Sequence, residues 1–245
     1  MLGIVFALVI AALLVNALVK DRRAYQRFAR LNSSARRRAT MRKWVLQSLA
    51  RFGGLSIITL VLDWQYTPLV LADINGWGWI ADARATYAAH EGVGRGILIG
   101  VVVAIVGGTV LAIVAARKET ELVTVGDVRA LLPRNRAELP WGAALSINAG
   151  IVEELLFRLS MPALIFAFTG SSVAAVVVSL IVFGALHAYQ GIAGVIGATV
   201  VGALLMAGFI TSQSIVVAIV VHALFDLRSL VLIPVIITGA HRIRD

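Results

Sequence analysis

The chain has 245 residues, is 60% hydrophobic and 14% charged, and has a mean hydropathy of +0.92; an ordinary soluble domain is about 25% charged. It contains no cysteine, which excludes a disulfide framework, a thiolate metal site and a cysteine nucleophile. The net charge of +9 is concentrated, with eleven Lys or Arg residues and one acid, Asp21, between Lys20 and Arg51. This balance predicts an all-α, polytopic transmembrane helical bundle of about seven spans (six to eight), with a polar cavity within the bilayer.

Leu2 to Val19 is an uninterrupted apolar stretch of spanning length, read as an anchor rather than a removed signal peptide. The basic segment 20–51 follows it. Nucleic acid is one conceivable partner for such a run; anionic lipid beside a membrane span is the better reading, with no nucleic acid involved. Tyr25, Phe28, Leu31 and Trp44 are placed in the interface, as in an amphipathic surface helix. Positive charge after the first span puts the N-terminus outside and this segment in the cytoplasm.

A second span is expected from about Phe52 to Leu62, followed by an aromatic, slightly acidic outer loop, 63–96, with Trp64, Tyr66, Trp77, Trp79 and Tyr87. Ile97 to Ala115 is a third span and 116–140 a mixed-charge loop. A fourth apolar stretch starts at Trp141; Pro162 kinks or breaks it. Thr169-Gly170-Ser171-Ser172 is a turn. Spans five to seven are Ser172–Ala188, Ile192–Ile210 and Ile215–Ile237, and the basic tail His241-Arg242-Ile243-Arg244 returns to the cytoplasm. Gly191, Gly194 and Gly197 allow the sixth span to approach a neighbour. Residues 1–140 read as an N-terminal membrane region and 141–240 as the core carrying the chemistry, within one integral-membrane domain.

Ionisable residues inside spans are costly, roughly 2.5–3.5 kcal/mol each even on lenient scales, and call for partners. At about 100° per residue, Glu154 and Arg158 share a face one turn apart, while Glu153 points elsewhere and lacks a local counter-ion. His187 lies on the fifth span, one turn after Phe183. His222 and Asp226 share a face of the seventh. Counting about 1.5 Å per residue, these groups fall at similar depths, so a shared polar cavity is expected. Each feature also has a bland reading: a satisfied interhelical histidine, a structural ion pair, an Asp that only orients its His. Together they favour function over packing.

Glu153-Glu154-Leu155-Leu156-Phe157-Arg158 matches EExxxR, Phe183 to His187 matches FxxxH, and His222 to Asp226 matches HxxxN/D. In this order on successive apolar segments, they resemble the CPBP family of CAAX prenyl endopeptidases and bacteriocin-processing or immunity membrane proteins, also called Abi proteins. The resemblance covers 141 to about 237. It implies an intramembrane endopeptidase with Glu153 as the base that activates water, His187 assisting, and His222 with residue 226 stabilising the oxyanion. Glu154 and Arg158 would hold the helix carrying the base, with Phe183 as a supporting residue.

The chain departs from that pattern at Asp226, which donates a hydrogen bond only when protonated. Metal ligation is then an alternative role: Glu153, His187, His222 and Asp226 could bind zinc, since two histidines with carboxylates suit catalytic zinc. A metal-free Glu/His mechanism is preferred, with no cofactor required. The expected substrate is a membrane-associated or lipid-anchored protein or peptide, and the expected location a bacterial cytoplasmic membrane. A non-catalytic membrane adaptor or bacteriocin-immunity-type protein is the second reading. A proton-coupled transporter ranks last, since no repeat symmetry is visible.

Overall fold

The computed structural model describes residues 2–89, 92, 100, 103, 106–111, 113–114 and 126–244. Among these, the chain is helical throughout, with no strand. The expected third span, Ile97–Ala115, lies partly outside the described residues, and the first part of the loop after it, 116–125, lies outside them altogether.

Helical backbone runs unbroken through α1 (Leu2–Val15), a π-helical run Asn16–Asp21 and α2 (Arg22–Ala29). Ser33 caps the next rod, its hydroxyl accepting from Arg36 N. That rod joins α3 (Ser34–Ser48), a π-run Leu49–Gly53 and α4 (Gly54–Asp63) without interruption. From Ser34 on, the basic segment and the second span are therefore one helix, so the span begins before Arg51. Two helices, α5 (Tyr66–Asn75) and α6 (Gly78–Ala89), stand where an outer loop was expected. A helix satisfies backbone polar groups internally, which an irregular loop against lipid cannot do.

A further rod comprises α7 (Leu139–Glu154), a π-run Leu155–Ser160 and α8 (Met161–Thr169). Pro162 does not break it. Proline removes one N–H and crowds the preceding turn, and the π-run just upstream widens that turn. The Ser160 hydroxyl lies 3.0 Å from Leu155 O and 3.1 Å from Ser56 O, to both of which it can donate. Gly170 then ends the rod at φ 65°, and Ser171 caps α9 (Ser172–Leu186), as the turn sequence predicted. A short 3-10 turn, Ala188–Gln190, leads into α10 (Gly191–Ser212). Ser214 caps α11 (Ile215–Leu227), which continues as π-runs Arg228–Leu232 and Pro234–Thr238.

Chain reversals gather at two ends. At one, Asp127 N donates to Gln190 O at 2.8 Å, Arg136 N to Ile243 O at 3.0 Å, and Arg134 to Leu31 O at 3.0 Å. At the other, Trp77 Nε1 donates to Ser172 Oγ at 3.0 Å and Arg84 Nη2 to Ile210 O at 2.7 Å. The first is the basic end.

Between the ends, Phe157, Ile165, Val182, Phe183 and Phe209 form part of one buried apolar cluster. Outward faces are apolar too: Ile192, Leu204 and Val61 are 81%, 68% and 68% exposed. Such faces suit lipid rather than water. Three helices among the described residues are long and apolar enough to cross a bilayer: Ser34–Asp63, Ala188–Ser212 and Ile215–Thr238. The chain is an all-helical integral membrane protein.

Small residues set the closest approaches. A Cβ on Gly150 would lie 2.9 Å from both Ala223 Cβ and Ala223 N, so α7 and α11 meet nearly backbone to backbone. One on Gly202 would lie 2.7 Å from the Phe183 ring. Gly194 meets the 126–138 loop at Gly126 rather than a neighbouring span.

Expectations for the basic segment need a second correction. Tyr25 and Phe28 are 5% and 1% exposed, and Arg37 is fully buried, so these side chains pack on protein instead of lying in the interface. Arg37 Nε lies 3.0 Å from both Glu138 carboxylate oxygens, and its Nη2 donates to Ala130 O and Leu132 O. A buried cation needs a counter-ion and acceptors, and the 126–138 loop supplies them. Phe28 lies beneath the guanidinium, 4.3 Å from its centre.

Candidate active site

Three helical rods bring the singled-out residues together. The close packing of α7 on α11 at Gly150 puts Glu154 against His222: Nδ1 donates to Oε1 at 2.7 Å. The other Glu154 oxygen lies 3.0 Å from Arg158 Nε, so the expected i,i+4 pair forms. Arg158 also donates to Gly202 O at 3.3 Å and sits 4.9 Å from the Phe183 ring centre. The Glu154 side chain is completely buried, and those of Arg158 and His222 are 1% and 6% exposed. The sequence pattern alone gave Glu154 only Arg158 as a partner. Its bond to His222 joins residues 68 apart and depends on how α7 and α11 pack.

With Nδ1 donating to a carboxylate, His222 presents Nε2 as its working nitrogen. That atom lies 3.7 Å from Asp226 Oδ2, one turn on. His187 occupies the C-cap of α9, and its Nδ1 lies 2.9 Å from Phe183 O. A carbonyl can only accept, so Nδ1 carries the proton and Nε2 is free to take another. Phe183 touches both imidazoles, with ring centres 4.9 Å from His187 and 6.3 Å from His222.

Glu153, His187 and Asp226 are partly exposed, unlike Glu154. Glu153 lies within charge–charge range of His222, Glu154 and Arg158. Asp226 lies within range of His222, Glu153 and His187. The site thus has a sealed half, Glu154–Arg158–His222, and an accessible half, Glu153, His187 and Asp226. An apolar cavity of about 200 Å³ bordered by Leu13, Phe52, Leu55 and Leu186, with the Asp21–Arg51 pair in its wall, lies apart from these groups.

Among the described residues no three His, Asp or Glu side chains are grouped to hold a metal ion, and Glu153, His187, His222 and Asp226 do not form such a group. As arranged, these residues do not fit a zinc site, and no step below runs through a metal.

Tyr189 is a neighbour that motif reading passed over, treating it only as part of a break between spans. Its ring stacks on His187 at 6.3 Å and 27°, and packs against Tyr25 at 5.4 Å. Its place two residues after the FxxxH histidine, on a tight turn, is the one signal that could have drawn attention to it.

No curated protein and no solved structure matches the chain. Residues 135–228 match the family model described as type II CAAX prenyl endopeptidase Rce1-like. The matched segment begins at the basic-end loop and contains every residue of both halves of the site. Over that segment the chain is similar to the type II CAAX prenyl endopeptidases, a likeness that supports a CPBP-type intramembrane protease domain there.

Proposed function

We propose that the chain is an intramembrane endopeptidase that hydrolyses a peptide bond in a membrane-associated substrate through a water activated by Glu153 and His187. The observation that carries this reading is the asymmetry of the acidic pair: Glu154 is sealed between Arg158 and His222, while Glu153 keeps partial exposure within charge–charge range of His222.

Glu153 accepts a proton from water as its oxygen bonds to the scissile carbonyl carbon. His187 Nε2 aligns that water through its free lone pair. His222, its orientation fixed by Glu154, donates from Nε2 to the developing oxyanion, and Asp226 holds the imidazolium as that donor. Low exposure strengthens these interactions, since donors fixed in a water-poor site need no reorganisation during reaction. The proton on Glu153 then passes to the leaving amine as the C–N bond breaks, which restores the carboxylate. Arg158 holds Glu154 in place without touching substrate.

The basic end is where anionic lipid would bind, through Arg22, Arg23, Arg27 and Arg30. The test uses purified protein in proteoliposomes with a fluorogenic farnesylated peptide. Glu153→Gln abolishes cleavage and His187→Ala reduces it by roughly 100-fold or more, in line with general acid–base catalysis, while helix content is unchanged. Full cleavage by a well-folded Glu153→Gln protein would refute the reading; an unchanged cellular phenotype with that variant would favour the adaptor.

A further inference from the structure

We propose that Tyr189 is a further catalytic residue, its phenol O–H donating the second hydrogen bond to the oxyanion. The inference rests on the endopeptidase reading. A tetrahedral oxyanion calls for two fixed donors, and His222 Nε2 is one. The family pattern offers an amide at the second position, whereas Asp226 in its ionised form only accepts. A neutral hydroxyl on the residue that stacks against His187 fills that need.

Three observations put Tyr189 in that role. Its ring stacks on His187 and is held on another side by Tyr25. The turn that carries it is pinned at both ends of Gln190: Gln190 N donates to His187 O at 2.9 Å, and Gln190 O accepts from Asp127 N at 2.8 Å. The phenol oxygen accepts from Gln190 Nε2 at 2.8 Å, and among the described residues no acceptor takes the phenol's own proton. An accepted bond polarises a hydroxyl and makes it a stronger donor. Tyr25 cannot play the same part, because its hydroxyl already donates to Asp127 Oδ1 at 3.1 Å. Glu153 and Asp226 are both within electrostatic range of Tyr189, which ties it to the accessible half of the site.

In the step itself, the carbonyl oxygen gains negative charge as water attacks. Tyr189 and His222 donate to it, and both bonds relax as the carbonyl re-forms and the amine leaves. No proton is transferred from Tyr189, so the phenol emerges unchanged.

Tyr189→Phe keeps the stacking on His187 and removes only the hydroxyl. With the farnesylated peptide in proteoliposomes, kcat is expected to fall by roughly 100-fold, the usual effect of losing one oxyanion donor, with KM and the thermal midpoint within error of the parent. Adding Asp226→Asn, which supplies an amide N–H, is expected to restore at least tenfold of that loss. An undiminished kcat in Tyr189→Phe overturns the proposal, as does a rise in KM with kcat unchanged. If the parent cleaves, Glu153→Gln does not and Tyr189→Phe does, this inference alone fails. If Glu153→Gln cleaves as well as the parent, the endopeptidase mechanism fails and this inference with it.

Discussion

Arg158 reaches its glutamate one helical turn away, whereas Arg37 reaches Glu138 across 101 residues of chain. Both guanidiniums are buried, and both sit on an aromatic ring, Phe183 in one case and Phe28 in the other. The local pair leaves one carboxylate oxygen for His222, so it shapes a reactive neighbour. In the distant pair Arg37 Nη2 donates to Ala130 O and Leu132 O, so the pair fastens a loop to a helix. Similar chemistry therefore serves a site in one place and a scaffold in the other, and the free valences of the pair decide which.

The comparison is tested most severely by breaking each pair. Glu138→Gln leaves Arg37 as an uncompensated buried charge and is expected to cost about 3–5 kcal/mol, measured by unfolding in detergent, with kcat of the folded fraction unchanged. Glu154→Gln strands Arg158 and frees His222, so a similar loss of stability comes with loss of cleavage. Equal kcat values in the two variants would erase the distinction between scaffold and site.

A smaller effect is expected from Gly150→Ala, which pushes α11 away from α7 at Ala223. Overpacking of this kind costs about 1–3 kcal/mol. Because the same contact sets the Glu154–His222 distance, cleavage should fall alongside the midpoint.

The acidic pair, its arginine and both histidines were legible because motif spacing on a helix fixes which side chains share a face. The serine caps and the turn at Gly170 were legible for an equally local reason. What the sequence hid was non-local. Nothing near Arg37 announces Glu138, so a run of positive charge read as facing anionic lipid when one member is sealed inside. Residues 63–96 read as a loop because their aromatic and polar mixture has no clean period, yet hydrogen bonds to Ser172 and Ile210 hold two helices there. His222 on Glu154 depends on a glycine contact that no motif encodes.

The smallest predicted effect concerns Tyr25 at the basic end. Burial, then the Asp127 charge beside it, pushes its phenol from 10.0 up to about 12. Folding favours the neutral phenol, so its contribution is whole below pH 10 and is lost as pH rises through about 12. Ultraviolet titration of tyrosinate should show a late-titrating group near 12 that disappears with Tyr25→Phe. Titration of every tyrosine near 10 would show that the Tyr25–Asp127 contact does not persist in solution.

The unbroken rod from Ser34 to Asp63 has a consequence for bilayer thickness. Its 30 residues extend about 45 Å, against a hydrocarbon core of about 30 Å. The surplus carries Arg36, Arg38, Arg42 and Lys43, and on the proposed reading headgroups around them would act as a depth gauge for the whole rod. Ser160 grips the rod at Ser56, which passes that depth to the helix bearing both acids. A thinner membrane would raise or sink the acids relative to a substrate anchored by its own lipid, making the host bilayer a tuning element for this site.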